Sequence, residues 1–152
     1  MNDLQARYKT LTTSALASFQ LLEFLLKSHI GMVYAFIGHK LDDEVPFSYT
    51  KSDVESFALE RLLGVFAKLN GNEDLKGRLN KLKDRRNFVA HRALLSLIEA
   101  AGMPGLSEED VAAMYEVDEE VMQCLRLLLK EFELVDGNVR MHLKRRLTTR
   151  SS

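Results

Sequence analysis

Arg86, Asn87 and His91 stand in the stretch RRNFVAH, residues 85–91, on ground where the surrounding helical pattern would suit leucine. Together they offer a fixed cation, an amide dipole and an imidazole, the side chain whose ordinary titration lies near neutral pH. Those groups suit cleavage of RNA by its own 2′-hydroxyl. The histidine moves the proton, and the arginine neutralises charge developing at phosphorus. Such chemistry requires no metal and no cofactor. The four histidines, 29, 39, 91 and 142, are scattered, with no cysteine partner and no His-x-x-x-His pair.

Geometry on a helix supports a cluster. Asn87 and His91 stack one turn apart, and Asp84 lies two turns before His91 on nearly the same side. Arg86 is about 140° round from His91, with a side chain long enough to lean back toward the same edge. Between Glu73 and Arg92 there are seven Lys or Arg against three acids, so a phosphate chain would be drawn to this edge. The structural alternatives are plain. Arg86 could pair with a carboxylate on another helix, and His91 could be a satisfied core histidine.

The elements that must position these groups read as helices. Residues 3 to about 38 repeat apolar side chains at steps of three and four, from Leu4 through Tyr8, Leu22 and Ile30 to Ile37. Extra apolar residues at Leu21, Phe24, Leu25 and Phe36 widen the stripe, as expected of a helix central in a bundle or shared with a second subunit. GHKLDDEVPFSYT then reads as a loop. A second helix is expected over 52–70, with Ser52 and Glu55 as its capping box. A third is expected over 73–101, with Asn72 able to cap it. Its seam is Leu75, Leu79, Leu82, Arg86, Val89, Ala93, Ser96 and Ala100, so Arg86 interrupts an apolar line.

Beyond the GMPGL break, Ser107 with Asp110 makes another capping box. From 107 to 135 two readings stay open. One helix would use Val111, Met114, Val121, Leu125, Leu128 and Phe132, but would set Asp118 on the buried seam. A helix–turn–helix would break at YEVD and let Asp118 cap the next helix, although Glu116 stands where such turns commonly carry glycine. The Asp136–Gly137 pair could turn a small hairpin, which would make 105–145 winged-helix-like. Residues 137–152 read as a basic tail.

One helical domain over 1–136 is the simplest organisation for 152 residues. The net charge of −1 excludes a polyelectrolyte, so nucleic acid would have to bind at a local patch. Cys124, the only cysteine, falls on an apolar face and reads as a buried, inert thiol. No signal peptide is legible, and the longest uninterrupted apolar run, 30–38, is too short for a bilayer. A soluble, cytoplasmic protein without membrane contact is the expectation.

LKDRRNFVAHR resembles the signature of the HEPN superfamily, an arginine followed after four to six residues by histidine, with a polar residue after the arginine. Arg86, Asn87 and His91 fit it with four intervening residues, and Arg85 would fit it with five. The opening helix, with LLEFLLKSHI, is also similar to the long first helix of such domains. The resemblance covers residues 3 to about 101. It implies an up-and-down four-helix bundle that dimerises and cuts RNA without metal in a cleft between two protomers. It also implies a toxin–antitoxin or antiviral setting, with a protein antitoxin or regulator as a further partner. Arg86 and His91 would then be catalytic, while Asn87, Arg85, Lys83 and Asp84 would line the substrate. Other members of the superfamily have lost catalysis and only bind.

Two rivals belong to other classes. One is a DNA-binding regulator whose recognition helix starts at Asp118. The other is a catalytically silent interaction bundle in which Arg86 and His91 only fix packing.

Overall fold

The computed structural model describes residues 3–41, 45–98 and 105–150, and the chain is an all-α helical bundle. Its helices are α1 (Asp3–Leu41), α2 (Leu59–Leu69), α3 (Glu73–Ile98) and α4 (Glu108–Arg150), with a 3-10 turn at Lys51–Val54. They pack as two compact units. Met1–Glu23 with Asn72–Arg126 form the first, and Phe24–Gly71 with Leu127–Ser152 form the second. The two long helices each contribute to both.

In the first unit α1 and α4 run in the same direction. Arg7 pairs with Glu108 at 3.2 Å, Ser14 Oγ donates to Asp118 at 3.2 Å, and Ser18 Oγ approaches Met122 Sδ at 3.6 Å. α3 runs against them. Its Leu75, Leu79, Leu82 and Val89 are buried, as are Phe19 and Leu22 of α1 and Val111, Met114, Val117 and Val121 of α4. Ser96 and Ala100, which the expected seam also includes, lie outside the side chains described. Thr12 is buried in α1 without cost to its hydroxyl, which donates to the Tyr8 carbonyl at 2.8 Å.

α4 resolves the open choice over 107–135 in favour of one helix, and corrects the reading beyond it. Residues 108–150 contain neither a helix–turn–helix break nor a hairpin, so no winged-helix element is present there. Val117 takes the buried place, while Asp118 stands at the edge of the core and accepts from Ser14. A carboxylate satisfied in this way does not need a helix start to accommodate it. The Asp-Gly pair is helical too. Asp136 meets Arg140 one turn on at 2.8 Å, an i,i+4 pair that a hairpin would break. The basic tail is helical as far as Arg150.

The cap at Ser107 forms as expected, with Ser107 N–H donating to Asp110 at 2.9 Å and Asp110 N–H to Ser107 Oγ at 3.3 Å. Asn72 likewise accepts from Leu75 N–H at 3.0 Å. The expected helix over 52–70 is shorter. Thr50 and Asp53, not Ser52 and Glu55, make the capping box, and it opens the 3-10 turn. The reason is tertiary. Lys51 passes so close to Gly31 of α1 that a Cβ there would sit 2.7 Å from Lys51 Cβ, which fixes the turn before α2 begins.

In the second unit Leu26, His29 and Ile30 of α1 are buried, with Leu62 and Phe66 of α2 and Leu128 of α4. An 18-residue stretch of α1 is long and apolar enough, by length and composition, to cross a membrane, although no uninterrupted run is. Averaging tolerates the charges that interrupt it, and those charges are engaged. Glu23 pairs with Arg86, and Lys27 donates to the Glu55 carbonyl at 2.7 Å.

Candidate functional site on the third helix

The whole candidate site lies in the first unit. α3 is amphipathic, and its solvent face carries Asp84, Asn87, Phe88 and His91, all exposed at the i, i+3, i+4, i+7 spacing of a single helical side. Three of the expected site residues, Asp84, Asn87 and His91, therefore share one exposed side of the helix. His91 is no core histidine. Its ring is open to solvent, with Asn87 one turn away.

Arg86 takes a different side. It continues the seam of Leu82 and Val89 at the margin of the core, and its Nε lies 3.7 Å from Glu23 Oε1 on α1. The lean toward His91 that its length allows is not the conformation seen. At that separation the contact is an ion pair without a hydrogen bond, and 40% of the Arg86 side chain remains exposed. An ion pair this open is worth at most about 1 kcal/mol, so an entering phosphate could displace it. Arg85 is half-buried and reaches Glu120 of α4 at 3.5 Å, while Lys83 is half-buried on the same helix.

These pairings temper the charge of the surface. Within α3 Lys76 meets Glu73, and Arg78 meets Asp74 at 2.9 Å. Glu23 and Glu120 add two carboxylates from other helices, so the excess of four positive charges over 73–92 falls to two. A phosphate chain would therefore be drawn to this face only modestly.

Two further titratable groups are shifted by burial. Burial pushes the Cys124 thiol up to about 11, against the smaller opposing pull of Arg78, which leaves it un-ionised and inert near neutrality. In the second unit His29 is fully buried, tilted against Phe66 with ring centroids 5.1 Å apart, and among the described residues neither of its nitrogens reaches a hydrogen-bond partner. Burial holds it below the ordinary histidine value, with Glu131 opposing more weakly. Among the described residues no group of three or more His, Cys, Asp or Glu is placed to hold a metal ion.

Two neighbours of these residues escaped the sequence reading. Glu23 is the carboxylate that meets Arg86, and only its place as a charge inside the apolar run of α1 could have flagged it. Phe88 stands in the core-like run NFVA, where neighbouring Val89 is buried and it is not.

Comparison with protein-family models, with curated proteins and with solved structures finds no match in any of the three.

Proposed function

We propose that the chain is a HEPN-like, metal-independent endoribonuclease. The observation that carries this is the set Arg86, Asn87 and His91 on the third helix of an all-α chain, with Asn87 and His91 open to solvent and Arg86 in an exchangeable pair. His91 takes the proton of the 2′-hydroxyl, the 2′-oxygen forms its bond to phosphorus, and the bond from phosphorus to the 5′-oxygen breaks. The departing oxygen is protonated by the second imidazole that a homodimer brings. Arg86 leaves Glu23 and neutralises the phosphorane, and Asn87 orients the phosphate. Lys83 and Arg85 draw the backbone, while Asp84 sets the rim of the site.

The homodimer is part of the proposal. Leu21 and Phe24 of α1 stand exposed within one chain, at 49% and 55%, so a second copy has an apolar surface to cover. We assign the protein to the cytoplasm and to a toxin–antitoxin or phage-defence setting, where a protein antitoxin or regulator would restrain it.

A second reading has one observation in its favour. In a silent interaction bundle the Arg86–Glu23 pair would exist for packing alone. RNA cleavage in EDTA separates the two. Activity that survives chelation and is lost in both His91→Ala and Arg86→Ala, with both variants folded, supports the ribonuclease. Cleavage indifferent to both substitutions overturns it.

A further inference from the structure

The exposed face of α3 holds one residue that the cleavage chemistry does not use. Phe88 is 40% exposed, and among the described residues it is the only large apolar side chain that α3 shows to solvent. Its neighbours on that face are Asp84, Asn87 and His91, all polar. The guanidinium carbon of Arg92 lies 5.4 Å from the ring centroid. Phe88 keeps 40% of its surface open among those polar groups, while Val89 next to it is fully buried.

We propose that Phe88, with Arg92 beside it, is a stacking platform for an unpaired nucleobase, and that it makes the chain select single-stranded RNA. The proposal rests on the ribonuclease reading above. Position supports it first. Phe88 is one residue from Asn87 and one helical turn from His91, so a base on its ring belongs to a nucleotide flanking the phosphate those groups would hold. Chemistry supports it next. Aromatic rings and guanidinium planes are the two protein surfaces on which bases stack, whatever the base. Electrostatics points the same way. With the local excess of charge reduced to two by Glu23 and Glu120, backbone attraction alone is weak, and a stacking contact would add affinity that does not depend on that charge. A duplex keeps its bases stacked on one another and cannot use such a platform.

The test is binding by full-length protein of a fluorescein-labelled 2′-O-methyl oligoadenylate, which lacks the attacking hydroxyl and stays intact. The same strand annealed to 2′-O-methyl oligouridylate is the control. The wild type is expected to bind the single strand more tightly than the duplex. Phe88→Ala should weaken single-strand binding about ten-fold with little change for the duplex, and Phe88→Tyr should restore it. Equal losses for both forms, no loss for either, or no binding of either form by the wild type overturns the platform. A changed oligomeric state in Phe88→Ala, measured by sedimentation, would also overturn it by assigning Phe88 to a contact between copies. The two proposals fail separately. If unmodified RNA is cut and Phe88→Ala changes nothing, the platform is wrong and the ribonuclease stands. If Phe88-dependent single-strand binding occurs and unmodified RNA is never cut, the ribonuclease is wrong.

Discussion

Arg86 Nε on α3 lies 3.7 Å from Glu23 Oε1 on α1, with 40% of the arginine side chain and 20% of the glutamate side chain exposed. A pair of that length and openness holds a guanidinium ready without locking it. Glu23→Gln is therefore expected to change unfolding free energy by no more than about 1 kcal/mol, and to leave RNA binding equal or tighter. Denaturant unfolding and RNA titration of this variant check both. A loss of about 3 kcal/mol or more would make the pair a buried structural one and Arg86 unavailable.

His29 makes the second unit sensitive to acid. The fold holds its imidazole neutral by burial, so its pKa lies below the value of about 6.5 that the unfolded chain shows. The unfolded state then binds the extra proton. Stability from this residue is present above that value and is lost as pH falls below it, toward the folded pKa. Thermal melting of the wild type should decline from about pH 7.5 to 5.5, and His29→Leu should decline less over that range. Parallel declines would assign the acid sensitivity to other groups.

Gly137 separates a continuous α4 from a hairpin. A Cβ placed there meets nothing within 4 Å, and the residue lies inside a helix. Gly137→Ala should stabilise the protein by about 0.5–1 kcal/mol, read as a higher melting temperature. In an Asp-Gly hairpin turn the same change would destabilise, because alanine resists the positive φ that such turns need.

Cys124 should ignore thiol reagents while the chain is folded. With its thiol pushed up to about 11 by burial, the thiolate fraction near neutrality is negligible. Reaction with a disulfide reagent is expected only after denaturant unfolds the first unit. Prompt labelling of the native protein would contradict the burial.

The helices were legible where a local signal and the apolar period agreed. Asn72 and Ser107 cap α3 and α4 because each sits at the break of a strong periodic run, with its partner three residues on. At 50–55 two capping boxes overlap in the sequence, and the approach of Lys51 to Gly31 chooses between them, which is a fact of packing. Asp136–Gly137 misled for a related reason. Its turn preference is small beside the helix that flanks it on both sides, and the Arg140 pair holds that helix. On the site, spacing alone places Asp84, Asn87 and His91 on one side of α3. It cannot say where a long arginine side chain rests, since Glu23 lies 63 residues away in sequence. Nor could it show Phe88 to be exposed, because apolar residues beside a seam ordinarily widen it.

The most direct measurement is the chemical identity of the ends left when purified protein cuts an RNA oligonucleotide in EDTA, read by mass spectrometry. Attack by the neighbouring 2′-hydroxyl predicts a 2′,3′-cyclic phosphate on one fragment and a 5′-hydroxyl on the other, with neither formed by His91→Ala. Fragments ending in 3′-hydroxyl and 5′-phosphate, or an oligonucleotide left whole by the wild type, would contradict the account.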